Sequence, residues 1–116
     1  MIAAFINKIT YDLFDNHGYG NGYVAVPVDE PKLSNIVESM DEIPVHGGIT
    51  FYDTGKVCMD IFENIEWIDP EVDLNNYYVF GFDTCHYEDN LENWNREKVI
   101  EETLFLKEQI QEILND

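Results

Sequence analysis

Tyr77-Tyr78-Val79-Phe80-Gly81-Phe82 is the stretch on which the fold turns. Aromatic and β-branched side chains dominate it, no charge interrupts it, and its length suits a strand better than a helix. A run of this kind reads as a central strand of a sheet. Next to it in kind is Tyr23-Val24-Ala25-Val26, a buried strand closed by Pro27, whose ring lacks the N–H that a ladder needs. Residues 45–52 read as a third strand, with His46-Gly47-Gly48 at its start. Asp53-Thr54-Gly55-Lys56 has the composition of a hairpin turn, which makes residues 57–62 the returning strand.

Outside this group the pattern changes. Residues 2–14 mix β-branched and aromatic side chains and fit either a strand or a short helix. They run into Asn16-His17-Gly18-Tyr19-Gly20-Asn21-Gly22, a glycine-rich turn or loop. Leu33, Ile36, Val37 and Met40 recur at helical spacing after Pro31, so a short helix is expected before Pro44. Asp69-Pro70 and Asn75-Asn76 bracket a loop.

The chain closes with a helix that begins between Asp89 and Arg96. Asp89 with Glu92 has the form of a capping box, and Asn93 or Asn95 are alternative caps. Val99, Thr103, Leu106, Ile110, Ile113 and Leu114 share one face of this helix, which Glu101, Glu102, Glu108 and Glu112 avoid. Phe105 falls on the polar side. The expectation is an α+β protein: a four- to five-stranded antiparallel or mixed sheet with a C-terminal helix packed on one face. At 116 residues the chain fits one domain, spanning residues 1–116.

Composition bounds the function. Twenty-four Asp and Glu face six Lys and Arg, for a formal net charge of −18. Such a surface repels phosphate backbones and anionic headgroups, so no direct nucleic-acid or membrane binding is expected; it attracts a basic protein surface. Cys58 and Cys85 form neither a CxxC pair nor a zinc-ribbon spacing, and a core of this size needs no disulfide framework. Residues 1–6 are too short and lack the basic flank of a signal peptide, and no apolar stretch approaches 18 residues. The expected location is a reducing cytoplasm.

Three constellations are candidates for chemistry. Gly18, Gly20 and Gly22 are spaced GxGxG rather than GxGxxG, with Tyr23 where the dinucleotide fingerprint continues, so a turn explains them better than a phosphate cradle. More informative is Asp83-x-x-His86-x-x-Asp89, which leaves the central strand for a loop, where rigid sheets commonly hold sites. Two carboxylates and an imidazole suit one divalent ion, His46 completes a four-ligand set, and Cys85 is a softer possibility. The same carboxylates would orient an imidazole as a general base, or the loops with Tyr23 would take a small ligand. The structural alternative is that Asp83 and Asp89 cap turns while His86 bonds to backbone. Third, residues 60–73 hold Asp60, Glu63, Glu66, Asp69, Glu71 and Asp73 without one Lys or Arg, interleaved with Ile61, Phe62, Ile65, Trp67 and Ile68. Carboxylates held along a ridge imitate a run of phosphates, with Trp67 as a candidate anchor; the alternative is a solvated face.

Gly22-Tyr23-Val24-Ala25-Val26-Pro27, then Val45-His46-Gly47-Gly48-Ile49-Thr50-Phe51, then Gly81-Phe82-Asp83-Thr84-Cys85-His86 with Asp89, resemble a family of small bacteriophage and prophage proteins. The resemblance implies a setting, the inside of a bacterial cell, rather than an activity. That family's usual Cys-Ala is Thr84-Cys85 here, which argues against a cysteine role. By analogy with small acidic phage proteins, the first expectation is a non-enzymatic binding protein that antagonises a host defence or nucleic-acid-binding factor. A protein sequestering a nucleotide signal or a metal at His46, Asp83 and His86 is the alternative, and a metal-dependent hydrolase using the same cluster a third. A homodimer is compatible with each.

Overall fold

The computed structural model describes residues 1–10 and 16–116. Five strands, β1 (Ala3–Lys8), β2 (Gly20–Pro27), β3 (Phe51–Thr54), β4 (Ile65–Asp69) and β5 (Tyr77–Phe82), form one antiparallel sheet in the order β3-β5-β2-β1-β4. Three helices complete it: α1 (Leu33–Glu38), α2 (Gly55–Ile61) and α3 (Arg96–Asn115). This is the expected α+β architecture, with the C-terminal helix laid on one face. Of the segment 2–14, Ala3–Lys8 is strand; residues 11–15 lie outside the described residues.

Both faces of the sheet are covered, which is why β5 has no polar side. Alternate residues serve two cores. Ile6, Val24, Val26, Phe80 and Phe82 point towards α3, where they meet Val99, Leu106 and Ile110, with Ile36 of α1 at the margin. Phe5, Tyr23, Ala25 and Val79 point the other way, onto Cys58 of α2 and Leu74. Phe80 is fully buried, and a side chain of its size contributes about 1.5–3 kcal/mol by leaving water. On the second face Tyr23 stacks on Phe5 at 5.2 Å and leans on Phe62 at 4.6 Å.

Four local expectations are corrected. Residues 45–50 are not strand: Gly47 and Gly48 adopt φ of 71° and 80°, a left-handed conformation that turns the chain, so β3 starts only at Phe51. The segment after Asp53 does not fold back as a hairpin. Thr54 accepts a hydrogen bond from the Val57 N–H at 3.3 Å and caps α2. The partner of β3 is instead β5, with Phe51 opposite Gly81. Gly20 and Gly22 belong to β2 rather than to a loop. Finally, Asp89 does not open the last helix; Asn95 does, its side chain accepting from the Lys98 N–H at 2.9 Å.

Candidate metal centre

The site lies where β5 ends. Asp83 follows the strand, its Oδ1 accepting the Cys85 N–H at 3.0 Å and its Oδ2 the Thr50 hydroxyl at 2.9 Å. Thr84 is buried; its hydroxyl donates to the Gly20 carbonyl at 2.7 Å, and its N–H to the Asn21 side chain, so the loop leaves β5 on a fixed course. Glu88, with φ of 77°, reverses the chain and brings Asp89 back beneath His86. The Asp89 carboxylate accepts the His86 N–H at 3.0 Å and is only 5% exposed.

His46 reaches the same point from the turn before β3. Its Nε2 lies 3.0 and 2.9 Å from the two Asp89 oxygens. Its own N–H donates to Glu102 of α3 at 2.8 Å, and its ring lies against Trp94 with centroids 4.1 Å apart. A buried acid paired this closely to an imidazole fixes the position of both. His86 presents its ring edge to His46 at 5.1 Å. The His86 Nε2 is buried and hydrogen-bonded to nothing; Asp83 Oδ1 stands 3.2 Å away without the alignment of a hydrogen bond. A methyl group on Gly47 would meet that nitrogen at 2.1 Å, so glycine there leaves room for the His86 ring.

One donor atom each from His46, His86 and Asp89 lie within 4.8 Å of one another. Tetrahedral ligands of a zinc-like ion stand about 3.3 Å apart, given ligand bonds of about 2.0–2.1 Å, so small side-chain movements would bring these three onto one ion. Asp83 stands beside the set. Cys85 is exposed. Tyr23 is in neither place: it is buried in the second core, on the sheet face opposite the one that Trp94 packs against, and is removed from the site. Trp94 and Glu102, which seat His46, were not anticipated; their place on a surface helix and its approach carries no sequence signal for this role.

The acidic segment is divided by the fold. Glu66 points under α3, accepting the Tyr19 hydroxyl at 2.6 Å and Arg96 Nε at 3.1 Å. Trp67, on the other side of β4, packs on Phe5 at 5.1 Å. Asp73 caps a 3₁₀ turn through the Asn75 N–H. Asp60, Glu63, Asp69, Glu71 and Asp73 are exposed, and among the described residues none of the five is in an ion pair. Trp67 is therefore occupied by the core, and the exposed apolar side chains of α2 are Val57, Met59 and Ile61.

Glu66 also carries a pH dependence. Burial pushes its carboxyl up, but the Tyr19 and Arg96 hydrogen bonds outweigh this and hold it below the ordinary range. A group depressed in the folded state stabilises above its unfolded pKa, about 4.3 for glutamate, and that stability is lost as pH falls through the lower folded value. Glu66→Gln should therefore lower Tm on the neutral plateau and flatten the acid limb of a Tm-against-pH curve, so that the two proteins converge at low pH; an unchanged acid limb would assign acid unfolding to other carboxylates. Cys58 is perturbed too: burial, then Asp53, pushes its thiol up to about 12, so it stays protonated.

No family model matches the chain, and no curated protein or solved structure is similar enough to serve as a relative. Among the described residues, no helix is long and apolar enough to cross a membrane.

Proposed function

We propose that the protein is a metal-binding protein that takes one divalent transition-metal ion, of the zinc class, at His46, His86 and Asp89. What carries the reading is a single observation: donors from two segments some forty residues apart in sequence converge within 4.8 Å, and the His86 ring brings a buried nitrogen, Nε2, that makes no hydrogen bond and has Asp83 Oδ1 3.2 Å away. Two imidazoles and a carboxylate suit zinc, iron or nickel rather than the hard oxygen-seeking calcium and magnesium. Glu102 and Trp94 hold His46 in place as outer-shell partners do in metal sites. Two of the three motifs that resemble phage proteins, the one at His46 and the one from Asp83 to Asp89, meet at this cluster. The bacterial-cell setting is part of the same proposal.

Calorimetric titration with Zn²⁺ or Co²⁺ should show one ion per chain, and free ion at a hundred times Kd should add about 2.7 kcal/mol of stability. His46→Ala and His86→Ala should abolish the heat, while replacement of His17, which is outside the set, should not. Equal uptake by wild type and both variants would refute the reading.

A second reading is favoured by the five exposed carboxylates of residues 60–73 that make no ion pair among the described residues: an acidic surface that antagonises a basic host factor. Salt-sensitive capture of one basic partner, lost when Asp60, Glu63, Asp69 and Glu71 are changed together to Asn or Gln, would support it. Retention undiminished in that variant would remove it.

A further inference from the structure

We infer that the ion at this site keeps one exchangeable coordination position facing solvent, and that the position prefers a neutral nitrogen donor, an imidazole or an amine, to an anion. The inference rests on the metal reading and adds what the site is for: holding an ion that another molecule can reach.

Zinc-class ions take four ligands when the site is closed and structural; sites that act on other molecules supply three and leave the fourth to water. Among the described residues the compact set has three members. Asp83 is a further carboxylate beside the set, and each of its oxygens already accepts a hydrogen bond, one from the Cys85 N–H and one from Thr50. Those bonds hold it beside His86, from which it would have to turn to become a fourth ligand. The exposure of the set is also uneven. Asp89 is 5% exposed at the back, while the His46 and His86 side chains are 24% and 36% exposed at the front. An ion seated among them is closed on the Asp89 side and at the buried His86 Nε2, which leaves the partly exposed imidazole edges as its way to solvent.

Charge chooses the incoming donor. Asp89, Asp83 and Glu102 all contact the two histidines or their backbone, so three negative charges stand around a dipositive ion. With the protein at −18 overall, the loaded site remains negative, and phosphate or a nucleotide meets repulsion that a neutral ring nitrogen does not. The donor class is therefore a histidine side chain of another protein or a small amine, rather than a phosphate-bearing signal.

The test uses the full chain loaded with Co²⁺, whose visible absorption reports its ligands. Imidazole at millimolar concentration should shift the spectrum saturably while dialysis shows the cobalt retained, and inorganic phosphate should bind at least tenfold more weakly. A spectrum indifferent to imidazole, in protein that still holds cobalt, overturns the open position. If Asp83→Asn then makes the spectrum responsive, Asp83 is the fourth ligand of a closed site. Phosphate binding as tightly as imidazole overturns the donor preference. Failure to take up cobalt at all overturns the metal reading, and this inference with it.

Discussion

Asp89→Ala should abolish ion binding and cost about 3 kcal/mol of folding stability, since hydrogen bonds to a charged group contribute about 1.5–3 kcal/mol each and this carboxylate receives both the His46 ring and the His86 N–H. The carboxylate does three things at once. It occupies a 5% exposed position, it receives the His46 ring through both oxygens, and it ties down the His86 N–H. Without it, His46 loses its partner and the His86 N–H is left inside without an acceptor, an omission that alone costs about 1–3 kcal/mol. Against a total stability of about 5–15 kcal/mol for a domain, the loss should move the urea midpoint far down. Asp89→Asn keeps one acceptor oxygen and should recover part of the stability but little of the ion affinity. If Asp89→Ala unfolds at the wild-type midpoint, the pairing with His46 contributes nothing and the cluster is not prearranged.

Gly22→Ala should cost about 3 kcal/mol, at the upper end of the overpacking range. The residue sits in β2 directly beneath α3, where a methyl group would lie 2.0 Å from Thr103 Oγ1 and 2.4 Å from the Phe82 ring. Neither neighbour can yield easily. Thr103 is buried with its hydroxyl donated to the Val99 carbonyl at 2.7 Å, and Phe82 is wedged in the first core. Adding Thr103→Ala should return part of the loss, since it removes the closer clash, and a double-mutant cycle would read this as a favourable coupling. Strict additivity of the two variants would mean that α3 lifts away as a unit and that the contact between Gly22 and Thr103 does not set the helix–sheet spacing.

How much was legible varied with the range of the interaction. The Tyr77–Phe82 and Tyr23–Val26 runs and the apolar stripe of the last helix were readable because period-2 and period-3.6 patterns are local statements about burial. The strand assigned to residues 57–62 failed for a reason of the same kind turned around. Val57, Met59 and Ile61 alternate like strand residues, yet they are exposed, and a single capping hydroxyl at Thr54 with Cys58 beneath makes the segment a helix. β4 was hidden inside a stretch that reads as an acidic ridge. Two of its five residues, Glu66 and Asp69, are acidic, and only pairing with β1 reveals the strand.

For the site, the sequence by itself determined the donors: His46, Asp83, His86 and Asp89 stand out because few residue types hold metals and their spacing leaves a strong strand for a loop. It also determined the negative field in which any ligand must arrive. Only the tertiary structure decided which of them meet. Tyr23 went to the opposite core because side chains alternate across a strand, and one residue of register separates a ligand from a buried ring. Glu66 and Trp67 were withdrawn from the surface by the same alternation on β4, one to Arg96 and one to Phe5. Asp89 became the buried acid of the cluster, rather than a helix cap, because the left-handed Glu88 turned the loop inward. Local composition names the atoms that can do chemistry, but contacts between residues forty positions apart depend on how strands pair, and that is a property of the whole sheet.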